Sequence, residues 1–332
     1  MAARPDAIAG TDLSLADLEQ YRRELTGYCY RMLGSGFEAE DAVQDTMVKA
    51  WRGMEQFEGR SAVRSWLYRI ATNVCLDMLR SRQRRARPMD FGPAGTTNTF
   101  TGEVRPESAW VTPIADDAVL PENGDPAELA EARDTIRLAF VTALQSLPAR
   151  QRAVLLLREV LKWQATEVAE LLDTSVASVN SALQRARATL AGRDTGADQD
   201  LQADLDVDSD EKRQLLARYV DAFERYDVAT FVSLLRDDAI QTMPPYDFWL
   251  QGAEEIGRWL LGPGIGCKGS RLVPTSANGG PAFGQYRIDP AGGYKPWSLT
   301  VLEMSGDRIV GYHNFLDAER LFAAFGLPAR LS

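Results

Sequence analysis

The stretch Phe57–Arg87 reads FEGRSAVRSWLYRIATNVCLDMLRSRQRRAR, and its reading decides the first part of the fold. Apolar residues recur at Val63, Trp66, Leu67, Ile70, Ala71, Val74, Cys75, Met78 and Leu79. Spacing by three and four residues is one face of an amphipathic helix. The other face and the tail are basic. From Arg60 to Pro88 eight arginines (60, 64, 69, 80, 82, 84, 85 and 87) stand against Asp77 alone. The whole chain holds 37 basic and 47 acidic residues, a net charge of −10. Positive charge gathered with aromatics on one helix of an acidic protein points to a nucleic-acid contact, with a merely solvated face as the competing reading.

Outward from that helix, 332 residues exceed one ordinary domain, so two or three are expected. No apolar run approaches the roughly 20 residues that span a bilayer. The start, MAARPDAIAG, has no apolar signal-peptide core, so a cytoplasmic protein without membrane contact is expected. Three scattered cysteines (Cys29, Cys75, Cys267) suit a reducing compartment. With His313 as the one histidine, neither a metal site nor a cofactor is expected.

Two stretches read as linkers, over 89–126 and 193–210. The first is rich in Gly, Pro, Thr and Asn, and from Phe91 to Glu131 it carries eight acids against Arg105. The second continues as DTGADQDLQADLDVDSDE, with eight acids and no base. Such compositions cannot bury enough apolar surface to fold alone. Three blocks remain: 11–88, 127–192 and 211–330. In the first, Phe37, Ala42, Val43, Met47, Ala50, Trp51 and Met54 share one helical face, and Glu38, Glu40, Asp41, Gln44, Asp45 and Lys49 lie largely on the other. In the second, a stripe from Leu129 to Leu147 stops at Pro148, and a helix follows over about 149–161. Two short helices, about 166–172 and 175–190, are joined by Asp173-Thr174, a helix-turn-helix pattern. Ser175 can cap the second of these. Its stripe is Val176, Val179, Leu183 and Ala186, which leaves Ser175, Ser178, Asn180, Ser181, Gln184, Arg185 and Arg187 to face DNA. The third block is mixed, with helices near 211–226 and 228–235, then strands near 284–288, 297–304 and 308–315.

AEDAVQDTMVKAWRGMEQFEGRSAVRSWLYRIATNVCLDMLRSR resembles region 2 of the bacterial sigma-70 superfamily, in its extracytoplasmic-function (ECF) group. SLPARQRAVLLLREVLKWQATEVAELLDTSVASVNSALQRARATL resembles region 4. The resemblance implies two all-α domains and a transcription initiation factor that is not an enzyme, whose partners are core RNA polymerase and promoter DNA. It implies that Asp41, Gln44, Asp45 and Trp51 dock on the polymerase. The loop Phe57–Arg64 and the following helix would open the −10 element and hold a flipped base, a task suited to an aromatic pocket with nearby donors. Its implied −10 contacts are Arg60, Ser61, Arg64, Trp66, Asn73, Arg80, Arg82 and Arg84, with Arg85 also on phosphate. The implied −35 contacts are Ser175, Ser178, Asn180, Ser181, Gln184, Arg185 and Arg187. The chain departs from the family where the turn usually has Gly and here has Asp173, and where Asn180 and Ala182 replace extra basic residues.

YVDAFERYDVATFVSLLRDDAIQTMPP resembles the opening of the SnoaL-like group of the nuclear-transport-factor-2-like fold, an α+β cone around a cavity. An extra domain joined through an acidic linker is expected to regulate the sigma domains through intramolecular contact, the linker competing with DNA for their basic faces, with a solvated tether as the competing reading. The alternative is a domain that binds or turns over a small-molecule ligand. Asp238, Tyr246, Trp249, Trp259, Trp297 and His313 are the candidate cavity residues, beside Asp247 and Asp317 as further acids and Phe248 and Phe315 as further aromatics. Filling of the cone by these rings as ordinary core is the competing reading.

Overall fold

The apolar stripe of the opening stretch forms helix α4 (Val63–Leu79), whose Leu67, Tyr68, Ala71, Thr72, Val74 and Cys75 are buried. The structure, a computed structural model, describes residues 14–54, 57, 62–80, 84–123, 125–192 and 209–332. Cα packing divides the chain into two units: the described residues of Met1–Arg84 with Asp117–Arg193, and those of Arg85–Asp116 with Asp194–Ser332.

In the first unit, α1 (Leu15–Glu19), α2 (Arg22–Leu33) and α3 (Gly36–Gly53) precede α4. Leu25, Tyr28, Cys29 and Met32 of α2 and Ala39, Ala42 and Val43 of α3 complete the α4 core. The Tyr28 hydroxyl and Thr72 Oγ1 share a hydrogen bond of 2.8 Å within it, so these two buried polar groups are paired. After α5 (Asp116–Val119) come α6 (Pro126–Asp134), α7 (Leu138–Gln145), α8 (Ala149–Leu155), α9 (Ala165–Leu171) and α10 (Val176–Ala191). The stripe expected to run unbroken from Leu129 to Leu147 is interrupted at Thr135. There Arg31 of α2 donates from Nε to the Thr135 carbonyl at 3.1 Å and from Nη2 to its Oγ1 at 2.6 Å. The first of those bonds satisfies a carbonyl that a continuous helix would use internally. The helix expected over 149–161 ends as α-helix at Leu155 and finishes in a π-helical turn, Leu156–Val160.

In the second unit, α11 (Ser209–Glu224) and α12 (Val228–Leu234) lead into a six-stranded sheet ordered β2-β1-β6-β5-β4-β3. Its strands are β1 (Leu235–Thr242), β2 (Trp249–Gln251), β3 (Arg271–Ala277), β4 (Gly280–Ile288), β5 (Tyr294–Ser305) and β6 (Arg308–Phe315). Only the β1–β6 pair is parallel. Helix α13 (Ala253–Leu261) joins α11 and α12 over one face, where Tyr219, Phe223, Phe231, Ile256, Trp259, Phe283, Leu302 and Tyr312 form the core. Helix α14 (Ala318–Ala324) packs on β5.

The stretch expected as one linker over 89–126 is split in two. Its larger part, within 85–116, belongs to the second unit as a strap along the sheet. Backbone bridges pair Gly95 with Leu250 on edge strand β2, Val104 with Tyr246, and Ala115 with Ala277 on the opposite edge strand β3. The strap buries Trp110, Val111, Ile114 and Ala115 and lays Phe100 against the core of its unit, so it folds on a partner surface. It also covers sheet edges that would otherwise offer unpaired backbone groups.

Candidate nucleic-acid interface

Helix α10 is set by its cap and its stripe. Ser175 Oγ accepts the Ser178 backbone N–H at 3.2 Å, as its place before the stripe predicts. Val179, Leu183 and Ala186 are buried, whereas Val176 is 38% exposed and lies outside the stripe. Ser175, Ser178, Asn180, Ser181, Gln184, Arg185 and Arg187 are all exposed, as are the turn residues Asp173 and Thr174. Asp173 takes φ 49°, which explains why glycine suits this turn. Arg187 pairs with Glu159 at 2.5 Å, so one of the two basic residues carries a local counter-charge.

Helix α3 buries Ala42, Val43, Thr46, Met47 and Ala50, leaving Asp41, Gln44 and Asp45 exposed. Trp51 is 56% exposed beside exposed Val48, and does not join the stripe in which the periodicity puts it. The result is an acidic ridge ending in an apolar patch.

Around α4 the picture is mixed. Asn73, Arg80 and Arg84 are exposed, and Arg80 contacts Asp77 at 3.3 Å. Trp66 is half-buried against Phe57, with ring centroids 4.9 Å apart. Arg64 donates to both Glu24 carboxylate oxygens at 2.9–3.1 Å and lies over the Tyr68 and Trp163 rings. Burial alone would lower its pKa, but the Glu24 bonds and charge outweigh that and hold it above the usual value. Arg60, Ser61 and Arg82 lie outside the described residues. Arg85 is not a phosphate contact. It is buried in the strap, donating to the carbonyl oxygens of Glu107 and Trp110.

The bundles α2–α4 and α7–α10 are docked on one another within the helical unit. Arg152 of α8 is 4% exposed and donates to the Met32 carbonyl at the end of α2, and to Gln145 Oε1, Gln145 O and Leu147 O. Gln145 Nε2 donates to the Arg31 carbonyl at 3.3 Å. Arg69 donates to the Glu170 carbonyl at 2.9 Å, and Tyr68 meets Trp163 edge-on at 5.2 Å. Gly34 caps α2 at φ 71° with Gln145 so close that a Cβ would stand 3.0 Å from its side chain. None of Arg31, Gln145 or Arg152 is singled out by periodicity, since long polar side chains at a helix rim usually face water.

In the second unit the six candidate cavity residues do not converge. Tyr246 and Trp259 meet, with Phe248, around Phe100 of the strap, each ring centroid 5.1 Å from that of Phe100. Trp249 Nε1 instead donates to the Gly92 carbonyl at 2.9 Å. Asp238 is exposed and bonded to Arg236, which holds its carboxyl below the usual range. Trp297 lies under the Arg287 guanidinium at 3.4 Å. His313 follows core residue Tyr312 and therefore points to the opposite face of the sheet, where Nδ1 meets Thr242 Oγ1 at 2.9 Å and Nε2 meets Glu303 at 3.2 Å. Asp247 pairs with Arg105 at 2.7 Å, and Asp317 contacts Arg320 at 3.5 Å.

Known proteins supply the frame for these surfaces. Residues 18–85 match the model of sigma-70 region 2 and residues 137–190 that of sigma-70 region 4. The ECF RNA polymerase sigma factor SigG of Mycobacterium tuberculosis is 44% identical over 318 residues, covering 95% of this chain and 84% of SigG. SigW of Bacillus subtilis, also an ECF RNA polymerase sigma factor, is 30% identical over 182 residues, 54% of this chain and 89% of SigW. The crystal structure of M. tuberculosis extracytoplasmic function sigma factor SigJ shares the fold at TM-score 0.58 and 21% identity, over 95% of this chain and 100% of that one. With two helical sigma regions and an α+β domain in one chain, this protein belongs to the ECF RNA polymerase sigma factors.

Proposed function

We propose that the chain directs core RNA polymerase to promoters with separate −10 and −35 elements, under the control of its own C-terminal domain. The observation that carries this reading is the exposed polar face of α10, seven side chains without an acid, above a buried apolar stripe. The ridge Asp41, Gln44, Asp45 and Trp51 docks on the polymerase. Arg64, Trp66, Asn73, Arg80 and Arg84, with Arg60, Ser61 and Arg82, engage the −10 element. Ser175, Ser178, Asn180, Ser181, Gln184, Arg185 and Arg187 read the −35 element.

The docked arrangement of regions 2 and 4 corresponds to a resting form. By their names the two elements lie about 25 base pairs apart, or ~85 Å at about 3.4 Å per pair. Two bundles held together through Arg152 cannot serve both. They part when the protein works, and Arg64 and Arg69 then exchange Glu24 and the Glu170 carbonyl for phosphate.

Run-off transcription with bacterial core polymerase tests this, comparing the full chain with one ending near Gly192. Both forms start transcripts, and the shorter starts more. Arg185→Ala with Arg187→Ala lowers promoter affinity and reduces the slope of log affinity against log salt by about 2. A double variant with unchanged affinity and slope removes α10 as the reading helix.

A further inference from the structure

The strap is the chain's own connection between regions 2 and 4, and it is gripped along its length. Ala86 bridges to Trp110, with Ala86 N–H on the Ala109 carbonyl at 2.9 Å and Val111 N–H on the Ala86 carbonyl at 3.2 Å. The two ends of the loop 87–109 are therefore neighbours, and those 23 residues add nothing to the reach of the tether. Released, the same residues would extend to about 80 Å at roughly 3.4 Å each. That is close to the ~85 Å separation above, and with the strap held from Arg85 to its bridge at Ala115 only the short flanks remain to reach across.

What keeps the loop closed is a cup on the C-terminal domain. Phe100 sits among Tyr246, Phe248 and Trp259, each meeting it at a steep ring angle. Gly95 lets the backbone pass so close that a Cβ there would stand 2.6 Å from Phe248. Beside it, Glu255 accepts the Thr97 N–H at 2.6 Å and the Thr97 hydroxyl at 2.8 Å. Arg105 pairs with Asp247, and Glu107 with Arg320.

Resting on the reading that the C-terminal domain controls transcription, we propose that this cup is a binding site for the region 2–region 4 linker. Phe100 is its bolt, and the factor cannot span both promoter elements until Phe100 withdraws. The domain controls initiation by setting the length of the tether.

Two changes in the full chain test the proposal, with run-off transcription and cleavage after Glu103 by a glutamate-specific protease as readouts. Phe100→Ala raises the cleavage rate at least tenfold and moves transcription toward that of the chain ending near Gly192; Phe100→Leu moves both less. Ala86→Cys with Trp110→Cys replaces the bridge by a disulfide, which the spacing of paired backbones permits. Oxidised, this variant loses at least nine-tenths of its transcription, and a reductant restores it. Wild type treated with the same oxidant, whose cysteines are Cys29, Cys75 and Cys267, is unaffected. Full transcription from the oxidised variant overturns the proposal. If the chain ending near Gly192 is more active while Phe100→Ala behaves as wild type in both readouts, the domain regulates by another route. If removing the domain changes nothing, the regulatory reading itself falls.

Discussion

Two joints in this molecule hold chain segments in place, and they are made of opposite materials. Between regions 2 and 4 the polar contacts are mainly arginine on carbonyl, Arg152 on Met32, Arg31 on Thr135 and Arg69 on Glu170, beside the Tyr68–Trp163 ring pair. Between the strap and the C-terminal domain the anchor is an aromatic ring among three others. Arg31 and Arg152 are buried, and burial pulls each guanidinium down to about 10. A buried guanidinium whose partners are neutral oxygens remains poorly compensated, and regains full hydration when the joint parts. An aromatic anchor has no such return to water, because exposing a ring is unfavourable. The polar joint is suited to opening, and the apolar one to holding.

The largest effect on this contrast comes from Arg152→Ala. It leaves the Met32, Gln145 and Leu147 carbonyls and Gln145 Oε1 without their donor, inside the docked bundles. The expected loss is ~3 kcal/mol in the unfolding of the helical unit, followed by far-ultraviolet dichroism in urea. Cleavage after Glu103 by a glutamate-specific protease stays at the wild-type rate, because joints without shared partners act additively. Faster cleavage would make the two joints one cooperative structure and end the distinction between them.

A middle-sized effect belongs to Glu255, which ties the strap beside Phe100. Its carboxyl lies below the usual 4.5 because it accepts the Thr97 backbone N–H and hydroxyl, with Arg258 also facing it. A depressed value in the folded form means stabilisation that is complete above about 4.5 and lost as pH falls through the lowered pKa. Glu255→Gln should therefore loosen the strap by ~1–2 kcal/mol at neutral pH, read as hydrogen exchange of the Thr97 amide. The gap between wild type and variant should close as the pH is taken below 4.5. A gap of constant size down to the acid limit would deny the carboxylate its part in the clasp.

How legible each joint was in the sequence follows the same division. Helices α3, α4 and α10 announce themselves, because a periodic apolar face is a local signal and Ser175 stands where a cap belongs. The strap has no period. Phe100, Thr97 and Gly95 gain meaning only from Trp259, Glu255 and Phe248, and Thr97 lies 158 residues from its partner. Phe100, set in a Gly- and Thr-rich run, was the available clue. The six cavity candidates are dispersed for a similar reason: alternation along β6 sends Tyr312 to the core and His313 to the other face, and a single sequence does not fix which parity faces inward. Trp51 and Val176 erred the other way, as apolar residues at the rim of a stripe that stay in solvent.

The smallest effect concerns Glu24, the counter-charge of Arg64 in this structure. Both side chains are part-exposed, 41% for Arg64 and 33% for Glu24, so the pair contributes no more than about 1 kcal/mol. Glu24→Gln keeps the shape of the side chain and removes its charge, leaving Arg64 over the Tyr68 and Trp163 rings. Stability in urea should move by less than ~1 kcal/mol, while affinity for −10 DNA rises two- to fivefold at low salt and converges with wild type at high salt. If stability falls by several kcal/mol instead, Glu24 and Arg64 belong to the fixed architecture of region 2. The polar surface would then hold its place no less firmly than the aromatic cup. A rise in DNA affinity without loss of stability leaves Arg64 where the contrast puts it, as a group lent to Glu24 until phosphate arrives.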